Sequence, residues 1–250
     1  MSTITAGSTY ESLTDYQKRC LPATNYWREK NGLPLIDVPK SDEHYHKYFK
    51  AVMIPVDNTL TIRPAPTKIP TFSFFERPVK NADKCRPVNL VQIYESIKGE
   101  YFKKETEYLR NLRATDLKKY RQEKEKVLHY VCFSGEFKRR ETAALIRHSG
   151  LLTLDLDHLT DVEGMRKKIL EDETVTTELL FISPGGDGLK WIISIDIDEC
   201  SHLQYFFALE KYVFQKYNLK IDKACKDVSR ATFLCHDPNV FINPKWTAIL

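Results

Sequence analysis

The chain has 250 residues, 42% of them hydrophobic and 29% charged, which is enough for one large domain or one domain with an extension. Its 38 Lys and Arg against 34 Asp and Glu give a net charge of +4, a mild basicity that suits a polyanionic partner without demanding one. No apolar run reaches membrane-spanning length and no basic start leads into an apolar leader, so membrane-embedded and secreted classes are set aside and a cytoplasmic protein is expected.

Residues 1 to 50 are polar and aromatic without clear periodicity. Short helices are expected at 14–18 and 25–30, with Gly32, Pro34 and Pro39 interrupting the segment. His44-Tyr45-His46 has the form of the metal motif of rolling-circle nickases, which normally ends an apolar strand. Here it follows Lys40-Ser41-Asp42-Glu43, a helix N-cap with an acidic first turn, so surface histidines are the favoured reading. A strand pair is expected at 51–56 and 59–62. Pro64, Pro66 and Pro70 mark a linker, which leaves 1–70 as an irregular, partly helical extension and 71–250 as the main domain.

The main domain opens on a strand at 71–75. Residues 89–126 are helical in pattern, broken at Gly99 and again at Ala114-Thr115-Asp116, where Thr115 or Asp116 supplies a new N-cap. Lys118, Lys119, Arg121, Lys124 and Lys126 make the last part basic, but Glu105, Glu107, Glu123 and Glu125 are interleaved, which favours a solvated face over a nucleic-acid track. A strand is expected at 127–133 and a turn at 134–137. Lys138, Arg139 and Arg140 follow, three adjacent cations that suit phosphate contacts or a plain charged loop.

The stretch from Gly150 to Leu159 reads as a buried strand ending in two acids. Leu152, Leu154 and Leu156 alternate with Thr153, Asp155 and Asp157, so both aspartates share a strand face, their Cα atoms roughly 6–7 Å apart. Such a pair can hold hard divalent cations such as Mg2+ or Mn2+ from one side, as metal-assisted phosphoryl transfer requires; solvated acids at a strand end are the plain alternative. After a helix at 161–172, strands at 178–183 and 189–195 flank Pro184-Gly185-Gly186-Asp187-Gly188. Ser183, the backbone at Gly185, Gly186 and Gly188, and Lys190 combine a hydroxyl, clustered amides and an ammonium, which suits a triphosphate; a glycine-rich hairpin is the alternative. There is no Gly-Lys-Ser/Thr, so this is not a Walker A loop.

A helix capped by Ser201 is expected to Tyr217, with Phe206, Leu209 and Val213 packing on a sheet. Asp222 then ends a short apolar segment as a candidate third carboxylate. Asp196 competes with it, lying on the strand face of Lys190, Ile192 and Ser194. Arg230 stands ready to clamp a phosphate, and a last clear strand is expected at 231–236. The tail at 245–250 is mostly apolar, without a cap signal, and reads as an edge or as a lead into a further domain. The six cysteines (Cys20, Cys85, Cys132, Cys200, Cys225 and Cys235) match no common zinc spacing and are expected as buried thiols. A metal shared by Cys200 and His202 is discounted because Asp198-Glu199-Cys200-Ser201 looks like a helix start.

The order of these pieces is more specific than any one of them. An apolar strand with Ser-Gly-x-Phe precedes strand-Asp-x-Asp, then Ser-x-Gly-Gly-x-Gly-Leu-Lys, then apolar-Asp and Asp-Val-Ser-Arg before a strand. Over residues 71 to 244 this resembles the archaeo-eukaryotic primase (prim-pol) superfamily, in the form of the VirE-like N-terminal domains of bacterial mobile-element and phage proteins. The resemblance implies an α/β (α+β) fold, a two-part primase-polymerase module with an RRM-like antiparallel sheet flanked by helices. It implies two-metal nucleotidyl transfer with Mg2+ or Mn2+, nucleoside triphosphates, a single-stranded DNA template and a helicase-type domain or protein as partner. Asp155, Asp157 and Asp222 would be the metal and catalytic acids, Ser183 and Lys190 the nucleotide-phosphate motif, and Arg230 a phosphate ligand. Many primases have histidine where this chain has Lys190; lysine still neutralises triphosphate charge, but as a point charge. The alternative function is a catalytically inactive module of the same fold that binds DNA or nucleotide for a helicase-like partner. A third, a nickase built on His44, His46 and a tyrosine, is disfavoured by its sequence context.

Overall fold

The computed structural model describes residues 8–30, 32–43, 45, 46 and 68–248. His44, the strand pair expected at 51–62, and Pro64 and Pro66 lie outside the described residues. The chain divides into two compact units, Met1–Thr59 and Leu60–Leu250.

In the first unit one helix, α1 (Asp15–Lys30), replaces the two short ones expected, with Pro22 in its interior. Asn25 ties the unit together: its amide donates to the Ile36 carbonyl (2.9 Å) and the Tyr45 hydroxyl (2.7 Å), and accepts from the Ile36 N–H (3.0 Å). Leu13, Leu21, Ile36 and Tyr45 form its small core. Tyr45 is therefore a core residue, while His46 is exposed.

In the second unit the elements run β1 (Thr71–Phe75), β2 (Cys85–Asn89), α2 (Leu90–Lys98), α3 (Lys103–Thr115), α4 (Leu117–Val127), β3 (Tyr130–Cys132), β4 (Gly135–Phe137), β5 (Leu145–His148), β6 (Leu151–Leu156), α5 (Val162–Leu170), β7 (Thr177–Ile182), β8 (Leu189–Ser194), α6 (His202–Tyr217), β9 (Thr232–Phe233), β10 (Phe241–Ile242) and α7 (Pro244–Thr247). The fold is α+β, as expected, and all its strand pairing is antiparallel. One sheet has the order β2-β1-β3-β9, a second β10-β7-β8-β6, and β4 and β5 form a separate hairpin. In the second sheet the β6-α5-β7-β8-α6 run places its third strand between the other two, the arrangement expected of an RRM-like sheet for those three strands.

Local chemistry explains most boundaries. Asn89 and Gln92 form a reciprocal capping box that starts α2, Asp116 caps α4, Asp161 caps α5, and Ser201 with Gln204 caps α6. Three expectations need correction, and two strands were unforeseen. The region expected as a strand from 127 begins as helix, because α4 runs to Val127. The turn expected at 134–137 is strand β4, paired with the unforeseen β5. Strand β2 was missed because Pro87 argues against a strand; as an edge strand it tolerates the missing donor. The strand expected at 231–236 shortens to Thr232–Phe233. Residues 244–247 fold into α7, capped by Asn243, with Trp246 only 1% exposed and its indole N–H donating to the buried Glu178 (2.6 Å).

A single core joins the two sheets. Phe72 and Phe74 of β1, Val131 and Phe133, Leu151 of β6, Leu179 and Phe181 of β7 and Ile192 of β8 pack with Leu90, Ile93 and Ile97 of α2. All six residues of β6 and of β8 are buried, so both faces of those strands are covered, where simple alternation suggested one. Cys132, Cys200, Cys225 and Cys235 are buried free thiols, as expected.

The hairpin is fastened to α6 by two histidines. The Gly150 N–H donates to His148 Nδ1 (3.0 Å), so the neutral ring carries its proton on Nε2 and donates to His202 Nδ1 (3.1 Å). His202 Nε2–H in turn donates to the Cys225 carbonyl (3.3 Å). This chain works only with both rings neutral. Burial and the neighbouring ring push the His148 pKa down to about 4, and burial lowers that of His202, against the opposing charge of Asp227. The unfolded chain binds the His148 proton below its ordinary value of 6.5, so this stability is present above pH 6.5 and is lost as pH falls toward about 4. Urea unfolding from pH 7 to pH 4 should therefore show a loss on the order of 3 kcal/mol from this group, and His148→Asn, which keeps an acceptor for Gly150, should flatten that part of the curve.

Candidate functional site

The site is set by strand register. β6 and β8 pair so that Asp155 stands directly opposite Lys190, and directly opposed residues have neighbouring side chains. Both are nearly buried, at 5% and 8% exposure, and the Lys190 ammonium contacts Asp155 Oδ1. Asp155 Oδ2 faces Arg230 Nη2 at 3.4 Å, and the same nitrogen binds Asp222 Oδ2 at 2.5 Å. Two cations thus balance two carboxylates, which is the condition for holding any of them out of water.

Asp222 reaches this place through the backbone. Its N–H donates to the Asp155 carbonyl (3.1 Å) at the open edge of β6, and its Oδ1 caps the following turn at Ala224 N (2.9 Å). The Asp227-Val228-Ser229-Arg230 motif is a turn of the same kind: Asp227 Oδ1 accepts from the Ser229 N–H (2.9 Å) and the Thr142 hydroxyl (2.7 Å), which aims Arg230 inward. Asp196, the competing third acid, follows the end of β8 that pairs with Leu151, at the far end of the strand from Lys190, and accepts a hydrogen bond from the Asp198 N–H instead.

Asp155, Asp157 and Asp222 line one open cleft of about 670 Å³ together with His158, Phe214 and Ile221. Asp157 lies just beyond β6, at the mouth, and has no ion-pair or hydrogen-bond partner among the described residues. Removal of water by the cleft walls, and then repulsion by Asp155, raise its pKa above the usual aspartate value, despite Lys190 and His158. The glycine loop abuts this acid. A Cβ on Gly188 would lie 2.5 Å from the Leu156 carbonyl oxygen and 3.1 Å from Asp157 Oδ1, so only glycine lets the loop close on the end of β6. Within the loop the Ser183 N–H donates to the Gly188 carbonyl (2.8 Å) and the Gly186 N–H to that of Ser183 (2.9 Å). Asp187 pairs with Arg113 and His158, and its carbonyl accepts from the Leu159 N–H (2.8 Å).

Sequence reasoning missed Lys124. It stands over the rings of Tyr120 (5.7 Å) and Phe233 (5.3 Å) on the inner face of α4. Burial, then the charge of Lys190, lower its pKa, while Asp155 and Asp157 work the other way, so it belongs to this group of charges. The helical spacing of Tyr120, Lys124 and Leu128 was the available signal, since the first and last are buried. Lys138, Arg139 and Arg140 sit on the β4–β5 hairpin. Arg139 pairs with Glu141, Arg140 lies over the Tyr130 ring (5.4 Å), and Lys138 is exposed.

Hard carboxylate oxygens converging on a cleft match the donor chemistry of Mg2+ or Mn2+, and the partnerless Asp157 carboxylate is where an added cation would gain most. Among the described residues no three of His, Cys, Asp and Glu form a ready ligand cluster. Lys190 and Arg230 occupy the oxygens of Asp155 and Asp222.

Over residues 122–241 the chain matches the family described as BT4734-like, N-terminal domain. That stretch begins in α4 and ends in β10, so it contains Lys124, the three acids, the glycine loop, Lys190 and Arg230, and leaves out β1 to α3. No curated protein and no solved structure matches the chain.

Three substitutions probe the site. Lys190→Met strands the Asp155 charge and should lower stability by about 3 kcal/mol, and adding Asp155→Leu should restore most of it in urea unfolding. The folded protein binds the Asp157 proton more tightly than the unfolded chain does, so its ionisation opposes folding once pH rises above the ordinary aspartate range. Asp157→Asn should thus raise the Tm at pH 7 and not at pH 3, and millimolar Mg2+ should raise the wild-type Tm but not that of the variant.

Proposed function

We propose that this chain carries a nucleotidyl-transfer site of primase-polymerase type, which joins nucleoside triphosphates on a single-stranded DNA template during replication of a mobile element or phage, in the cytoplasm and beside a helicase-type domain or protein. One observation carries the reading: Asp155, Asp157 and Asp222 line a single cleft, Lys190 and Arg230 pair with two of these acids, and the glycine loop closes against the third. The BT4734-like match over the same stretch and the RRM-like order of β6, β7 and β8 are consistent with a VirE-like, prim-pol kinship.

In this reading the chain works by positioning and charge. Lys190 and Arg230 hold Asp155 and Asp222 while the cleft is free of nucleotide, and turn to the phosphate oxygens when a triphosphate enters. Lys124 adds a third cation without a long reach, because the rings of Tyr120 and Phe233 confine it. Asp155 and Asp157, with Asp222, would hold Mg2+ or Mn2+. When bound, the ion would supply Lewis-acid stabilisation of charge on the attacking and leaving oxygens.

The second reading, a nucleotide- or DNA-binding module without turnover, is favoured by one feature: the ion pairs that neutralise Asp155 and Asp222 within the protein itself. Nucleotide incorporation on primed and unprimed single-stranded templates, with Mg2+ or Mn2+, separates the two. Wild type should extend or initiate, and the Asp155→Ala/Asp157→Ala double variant should lose at least 1,000-fold in rate, as expected when a principal electrostatic element of a site is removed. Incorporation that survives the double variant would overturn the site, and binding without incorporation in wild type would select the second reading.

A further inference from the structure

The glycine loop has a second side. Gly188 faces the acids, but Gly185 faces α3: a Cβ there would lie 3.0 Å from the Tyr120 hydroxyl and 3.2 Å from Arg113 Cδ. Gly186, at φ +83°, lies against Arg110, whose Nε would be 3.5 Å from an added Cβ. Arg110 and Arg113 are one turn apart and so share a face of α3. With Ala114, Leu117 and Gly185 they line a separate pocket of about 420 Å³.

The two arginines differ in state. Arg113 is fully used: Nη1 donates to the Gly185 carbonyl (3.0 Å) and Nη2 pairs with Asp187. Arg110 is not. Among the described residues its one hydrogen bond is a long contact from Nη2 to the His236 carbonyl (3.5 Å), and its Nε is buried with no partner. Arg110 thus lines the pocket with most of its donors unused, and a planar guanidinium pairs best with an oxyanion that accepts two parallel hydrogen bonds. Ala114 and Leu117, both exposed, add an apolar ledge beside the cation, as sites for nucleic-acid strands combine phosphate contacts with apolar surface.

The geometry points to a phosphate-binding subsite between Arg110 and the Gly185–Gly186 side of the loop, distinct from the acidic cleft, that takes a phosphate of a single-stranded nucleic acid or of a nucleotide. It rests on the nucleotidyl-transfer reading only for the identity of that strand as template or primer. The loop then touches both ligand regions, with Gly188 at Asp157 and Gly186 at Arg110.

The test is fluorescence anisotropy of a labelled oligothymidylate and of a mant-labelled nucleoside triphosphate, titrated across a range of salt. The proteins are wild type, Arg110→Gln, Arg110→Lys and Ala114→Glu, each checked for fold by circular dichroism. Arg110→Gln should weaken oligothymidylate binding roughly tenfold and reduce the salt slope by about 0.7, the value of one phosphate contact on a single strand. Arg110→Lys should lose less. Ala114→Glu, an exposed helix position that accepts the side chain, should reproduce the loss through repulsion. Loss of triphosphate binding alone in the Arg110 and Ala114 variants would support the subsite and assign it to the nucleotide. No change in either ligand, or wild type binding neither, would overturn it. An Arg110 effect without any incorporation by wild type would leave the subsite standing while the transfer reading fails.

Discussion

The ion pair between Asp155 and Lys190 is the constraint from which the rest of the site follows. Neither group tolerates burial alone, and the β6–β8 register brings them opposite each other on strands that are buried throughout, with β6 at the edge of its sheet. A slip of one residue would turn every side chain of β6 to the opposite face and break both the core and the pair. The position of Asp155 is therefore as firmly determined as that of Leu154 or Leu156. Arg230 and Asp222 extend the pair into a four-membered network, whose backbone tie from Asp222 to Asp155 fixes a loop that would otherwise be a free connection.

That arrangement leaves two charges outside the balance. Asp157, one position beyond the strand, carries a raised pKa at the mouth of the cleft, and Lys124 carries a lowered one on the inner face of α4. Both shifts have the same physical origin, because burial penalises the charged form and nearby like charges add to it. Strained ionisation of this kind gathers at functional sites more often than elsewhere, since an arriving ligand can relieve it. Here the relief would come from a cation at Asp157 and an anion at Lys124, the two halves of a metal–triphosphate complex.

The glycine loop and the histidine chain show how the scaffold holds this charge pattern. The loop closes on the end of β6 through Gly188, while Arg113 grips it from the other side through the Gly185 carbonyl and Asp187. The histidine chain links the β4–β5 hairpin to the start of α6 and to Cys225, three residues beyond Asp222. The turn that carries Asp222 is thus braced from the side opposite Asp155. These braces use short polar groups in fixed turns, which hold direction better than long surface ion pairs can.

Much of this was legible in the sequence. Period-two alternation marked β6 and its two acids, capping residues marked the starts of α4 and α6, and the glycine cluster marked the loop between β7 and β8. These are local properties, written in side-chain period, hydrogen-bonding capacity and the lack of a Cβ. What local pattern could not carry was partnership. Lys190 was expected to face a phosphate, and cross-strand register gave it to Asp155. Lys124 was read as one of several solvated cations, and the packing of α4 turned it inward. Strand β2 was hidden by Pro87, which an edge position excuses, and β5 by polar residues that only the hairpin pairing explains. By itself the sequence determined most of the elements and the acids at the end of β6, because those depend on neighbours along the chain, while the α+β class came from the family resemblance. The tertiary structure alone decided which cation meets which carboxylate, and which side of the glycine loop faces which arginine, because those contacts join residues far apart in the chain whose charges become strong only when folding has removed the water between them.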